Sequence, residues 1–273
     1  MPKWGILMGK IKLLACFVIL LIQSNDAFSS FCQSRKQRFT QIVNSADTNE
    51  NFNHVIQSSA KLIVFGEPHQ THYLEKLPEI IPQFVEIDEV GCFFIEQPTT
   101  LQQMEIDQLI SGNTTEHFQT QASFQYAPLY AFLRSQNIRI IPVDDPVVKS
   151  PFYPLHEWMV KRDDTMFEVI HNNLASCGKS LFIVGKHHIT PDIAAYDNFL
   201  GKRLRESLTK DETLFIDLIH EKNYFEDYCS YRENLLFEET VLFSTEGLND
   251  LEYSPRSDNS FFTDFDFVYY LLP

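Results

Sequence analysis

The sequence predicts an α/β protein: a central, mostly parallel sheet flanked by helices on both faces, in a single domain. Two observations carry that expectation. Five short runs are apolar on both faces, at 61–65 (KLIVF), 92–95 (CFFI), 138–143 (IRIIPV), 180–184 (SLFIV) and 213–216 (TLFI). A strand that is apolar on both faces suits a parallel sheet covered on both sides. Helical patterns lie between the runs, and alternation of strand and helix implies βαβ units.

Taken in order, the helical patterns span 73–87, 101–110, 127–136, 155–176 and 192–208. The second carries Thr100 and Gln103 at capping-box spacing, with Gly112 just past its end. The fourth stops at Gly178. Beyond residue 224, 239–243 and 265–272 are further candidate strands. No repeat or interdomain linker interrupts the chain.

The N-terminus reads as an export signal. Lys3, Lys10 and Lys12 precede the ten-residue apolar run LLACFVILLI, and Ala27-Phe28-Ser29 offers small residues for cleavage. We therefore expect a signal peptide at 1–29 and a domain at 30–273, in a periplasmic or secreted protein. An uncleaved anchor is the alternative, and no other run is long enough to span a bilayer. Cys32, Cys92, Cys177 and Cys229 then make an even number in a disulfide-permissive compartment, although Cys92 equally suits a buried thiol. No CxxC spacing supports a zinc knuckle.

The 273 residues are 44% hydrophobic, enough for a packed core, and carry a formal charge of −15. That balance argues against nucleic-acid partners, because phosphate binding needs a basic surface. A small-molecule or peptide substrate is the expected partner.

Chemistry concentrates where the apolar runs end. The runs are followed in turn by Gly66-Glu67-Pro68-His69, Glu96-Gln97-Pro98, Asp144-Asp145-Pro146, Gly185-Lys186-His187-His188 and Asp217. In an open parallel sheet these ends share one edge, where ligands bind. The two Gly-x-x-His segments match in form; each glycine is expected to allow a sharp exit at positive φ. Glu67, His69, Glu96 and His188 are the primary candidates, as a general acid–base set around a water or as ligands of a divalent cation, Mn, Zn or Fe. Glu96 has a plainer possible role in an ion pair with Arg139 or Arg162. Asp144, Arg162 and His187 are secondary candidates: Arg162 could hold an anion or Glu96, and His187 competes with His188, since neighbours in an extended stretch point opposite ways. Tyr126 either walls the pocket or packs in the core.

The motifs Gly66-Glu67-x-His69, Phe94-x-Glu96-x-Pro98, Tyr126-x-Pro128-Leu129, Arg162-Asp163-x-x-Met166 and Gly185-x-x-His188 resemble the superfamily that joins erythromycin esterase-like, ChaN-like and TIKI proteins. The resemblance covers about residues 60–200, with 266–273 (DFVYYLLP) also similar. It implies different chemistry by branch. TIKI-like proteins are metal-dependent proteases in which His69 and His188 would serve the site. In esterase-like hydrolases Glu67 and His69 would activate water, though His69-Gln70-Thr71-His72 departs from the usual small-residue continuation. ChaN-like proteins bind haem without dedicated catalysis. The expected function is hydrolysis of an ester or amide; the alternative is a haem- or ligand-binding module. No G-x-S-x-G elbow, Walker A loop or H-E-x-x-H helix is present.

Overall fold

The computed structural model describes residues 37, 41, 45–67, 71–85, 89–113, 125–145, 155–189, 199–209, 211–219, 241–245 and 265–270. Chain contacts group Ala46–Glu221 with Phe237–Pro273 as one compact unit, which holds all the elements below. A second unit, Met1–Ser45 with Lys222–Leu236, has only residues 37, 41 and 45 described. The expected signal peptide, Cys32, Cys229 and His69 lie outside the described residues.

The strands are β1 (Leu62–Glu67), β2 (Val90–Pro98), β3 (Arg139–Asp144), β4 (Lys179–Gly185), β5 (Thr213–Ile219), β6 (Val241–Ser244) and β7 (Phe267–Tyr270). The helices are α1 (Thr48–Gln57), α2 (Thr71–Val85), α3 (Gln103–Ile110), α4 (Ala127–Ser135), α5 (Leu155–Cys177) and α6 (Leu200–Ser207). One sheet results, in the order β3-β2-β4-β1-β5-β7-β6. Every pairing is parallel except β6 with β7. The mostly parallel α/β expectation holds.

Period-two alternation divides each central strand between two cores. Ile63, Phe65, Phe93, Ile95, Leu181, Ile183, Ile216 and Leu218 face α1–α4 and pack on Ile80, Phe84, Leu109 and Leu133. Leu62, Val64, Cys92, Phe94, Phe182, Val184 and Phe215 face α5 and α6 and pack on Met166, Ile170 and Leu204. This two-sided burial is why the runs read as continuously apolar.

Helix ends explain local choices. The capping box of α3 uses Gln102 and Glu105, not Thr100 and Gln103: the Gln102 N–H donates to the Glu105 carboxylate at 3.2 Å. Thr99 and Thr100 are still in the turn that leaves β2, where the Leu101 N–H bonds the Pro98 carbonyl at 2.8 Å. Gly112 and Gly178 end α3 and α5 at φ +80° and +63°, the left-handed conformation glycine adopts without strain. Gly178 lets the chain reverse from α5 directly into β4.

Cys92 is joined to Cys177 in a disulfide, so the buried-thiol alternative is set aside. It ties β2 to the C-terminus of α5.

Candidate functional site

Because β3, β2, β4, β1 and β5 run parallel, their C-terminal ends form one edge. Along it stand Asp144, Glu96, the β4 exit, Glu67 and Asp217. The β4 exit is a single 3₁₀ turn, Lys186–His188. It buries His188 and leaves His187 exposed, which decides between the two histidines.

Glu96 is the hub. Its Oε2 accepts the Gly185 N–H at 2.7 Å, and its Oε1 accepts from Arg162 Nη2. The same Oε1 lies 3.5 Å from His188 Nε2. Arg162 closes on Asp144 with two parallel bonds, Nε to Oδ1 at 2.8 Å and Nη2 to Oδ2 at 2.7 Å. Such a fork fixes direction as well as charge. Trp158 lies under the guanidinium, 4.6 Å from its ring centre. The Glu96 partner is thus Arg162; Arg139 lies at the far end of β3, on Asn173 and Ser176.

His188 is held from behind. Its Nδ1–H donates to Asp163 Oδ1, and Asp163 Oδ2 accepts the Leu200 N–H at 3.0 Å, the first residue of α6. Burial works against charging this imidazole, but its hydrogen bonds to Asp163 and Glu96 and the fields of both carboxylates prevail and raise its pKa to about 9. His188 is therefore an imidazolium at neutral pH. Burial likewise opposes the charge on Arg162, and Asp144 and Glu96 hold it more firmly protonated than usual.

Glu67 ends β1 on the α1–α4 side, 4% exposed. Its backbone is in register with Gly185, the residue whose N–H binds Glu96. Tyr126, at the N-cap of α4, reports on both carboxylates. Burial raises its phenol above the usual range, and the negative fields of Glu67 and Glu96 add to that. Tyr126 stacks on Tyr130 with ring centres 5.6 Å apart and packs against the α1–α4 core.

The edge thus brings Glu96, Asp144, Arg162 and His188 together, and places Glu67 at the end of the strand next to β4. Asp163 is the participant that motif reading left unassigned. A signal for it was present: Met159, Asp163, Met166 and Ile170 fall on one helical stripe, and all four are buried. A carboxylate in an apolar stripe requires a partner.

One expectation changes. Gly66 and Gly185 do not have positive φ. Gly66 is small for space: a Cβ there would come within 2.9 Å of the Phe265 ring and 3.2 Å of the Lys186 Cβ. Of the donors named for a divalent cation, both Glu96 oxygens and His188 Nδ1 are engaged with protein partners, and His69 lies outside the described residues. No group of three or more Asp, Glu, His or Cys among the described residues is arranged to hold a metal ion.

No family model matches the chain, and no curated protein does. Solved structures do. A Bacillus cereus protein matches with a TM-score of 0.59 at 12% identity, over 84% of this chain and 92% of its own. The RRSP effector domain of a Vibrio vulnificus MARTX toxin matches with 0.46 at 19% identity, over 65% of this chain and 37% of its own. The C-terminal region of Pasteurella multocida toxin matches with 0.41 at 13% identity, over 55% of this chain and 22% of its own. The likeness to the Bacillus protein is one of fold.

Proposed function

We propose that the protein is an exported hydrolase of ester or amide bonds, acting at the C-terminal edge of the sheet. The observation that carries the proposal is the charged chain Asp163–His188–Glu96–Arg162–Asp144, buried at Asp163 and His188 and half-buried at the rest, with Glu67 at the end of the neighbouring strand β1. Burial of so many charges is costly in an interior built only for stability. The motif resemblance to the erythromycin esterase-like, ChaN-like and TIKI superfamily supports it. The apolar segment at 13–22 and the Cys92–Cys177 disulfide support export.

The contacts divide the labour. Glu96 is neutralised by Arg162 and His188, so Glu67 is the general base. It takes a proton from water as the oxygen attacks the carbonyl carbon. The His188 imidazolium and Arg162 guanidinium offset charge on the tetrahedral oxygen. Collapse breaks the bond to the leaving alkoxide or amine, which receives the proton held by Glu67.

The test is hydrolysis of a panel of p-nitrophenyl esters and aminoacyl anilides by the full chain. Glu67→Gln is expected to lower kcat by about 10²–10⁴-fold with the fold intact. Turnover unchanged by Glu67→Gln ends the proposal. A haem Soret band formed without any hydrolysis assigns the edge to ligand binding instead. Metal analysis of wild type and His69→Ala tells whether a cation joins Glu67.

A further inference from the structure

Two buried groups of opposite charge on the same edge have no part in that chemistry. Lys186 is 5% exposed and Asp217 2% exposed. Gly66 is in register with Val184 on one side and Asp217 on the other. Asp217 alternates with Ile216 and Leu218, and so lies on the face of Phe215, towards α5 and α6. Lys186 begins over the same place, since a Cβ on Gly66 would meet the Lys186 Cβ at 3.2 Å. Lys186 and Asp217 therefore lie on the same face, on either side of β1, next to the space left by the missing side chain of residue 66, which the Phe265 ring also borders.

Their energetics do not suit a pair kept for stability. Asp217 Oδ1 is buried with no hydrogen-bond partner. Burial raises the Asp217 carboxyl to about 6, with the Lys186 charge pulling the other way. An ionised Asp217 thus costs stability at neutral pH. Position supplies a reason to keep it: Lys186 is the first residue of the turn whose third residue is His188, and the Ile189 N–H closes that turn on the Lys186 carbonyl at 2.9 Å.

We propose that Asp217, acting through Lys186, is a positioning residue for His188: the carboxylate on β5 holds the Lys186–His188 turn across the Gly66 gap and so fixes the imidazole against Asp163 and Glu96. The assignment rests on the edge being the hydrolytic site, but the effect it invokes on His188 is measurable without any substrate. Five adjacent parallel strands then contribute to one arrangement, β5 through charge and the other four through direct contact or register.

The experiment compares wild type with the charge-neutral double variant Lys186→Met/Asp217→Asn, in full-length protein carrying ¹⁵N-labelled histidine. The readout is the low-field Nδ1–H resonance of His188, assigned by its loss in His188→Gln. The double variant is expected to lose this signal, or to exchange it with water more than about ten-fold faster, while unfolding at the same temperature or higher. On any ester the wild type hydrolyses, its kcat is expected to fall about 10²-fold with KM little changed. A pair that only packs the fold would shift the unfolding midpoint and leave the imidazole proton as it was; that result overturns the proposal. Absence of the resonance from wild type overturns it equally. If the double variant does not fold, Asp217→Asn alone is read in the same way, and failure of both to fold assigns the pair to stability. A missing hydrolytic activity with the expected change in the proton signal sinks the hydrolase and leaves the clamp standing.

Discussion

His188 shows how much a side chain's chemistry depends on its neighbours. An exposed histidine is neutral through most of the physiological range. Here Asp163 and Glu96 hold the proton up to a pKa of about 9, against the effect of burial. The folded pKa lies above the unfolded value of 6.5, so the linked stability is complete below about 6.5 and is lost as pH rises through 9. The size of the effect is roughly 3 kcal/mol, from about 1.4 kcal/mol per unit. Urea unfolding at pH 6.5 and pH 10 should show that loss in wild type and its absence in His188→Gln; parallel profiles for the two proteins would remove the imidazolium from the account. Arg162 is equally specific. Lysine carries the charge but not the fork that bonds Asp144 twice while reaching Glu96, so Arg162→Lys should destabilise by about 1–3 kcal/mol, read by chemical denaturation.

At the scale of elements, β2 and α5 do most of the positioning. Glu96 comes from β2, and Arg162 and Asp163 come from α5. The two elements are joined covalently near their other ends, where Cys92 meets Cys177 across a sequence separation of 85. A bridge closing so long a loop constrains the unfolded chain strongly, and its loss typically costs about 2–5 kcal/mol. Unfolding with and without reductant should show a difference of that size, and mass spectrometry before reduction should find no free thiol at either position. Glycine is used at this scale for close approach: a Cβ on Gly201 would lie 2.4 Å from the Ile189 carbonyl oxygen, next to His188. Gly201→Ala is therefore expected to displace α6 from the His188 turn and lower the unfolding midpoint.

For the whole molecule, the sheet is a shared wall between two cores. Phe93 points into one and Phe182 into the other, both fully buried. Since β1, β2, β4 and β5 each contribute to both cores, neither can melt while the other keeps its wall. Phe93→Ala and Phe182→Ala should each cost about 3–5 kcal/mol. Each should also shift a single transition monitored both by far-ultraviolet circular dichroism and by tryptophan fluorescence. Separate transitions by the two probes would mean that the faces unfold independently.

Much of this was legible in the amino-acid order because it is local. Runs apolar on both faces announced strands buried on both sides, and Gly112 and Gly178 marked where α3 and α5 stop. Parallel topology then follows from alternation, and with it the meeting of Glu67, Glu96, Asp144 and His188 at one edge. What spacing could not supply was the choice of partners. Glu96 had two arginines within plausible reach, His188 competed with His187, Asp163 looked like an ordinary polar residue of a helix, and Asp217 stood at a strand end with no partner indicated. Those pairings join positions 25 to 89 residues apart, and their protonation depends on burial that only the packed molecule creates. Periodicity is written along the chain, whereas the field at a buried charge is a sum over neighbours brought from elsewhere, so the fold class was decided by sequence and the state of His188 by tertiary structure.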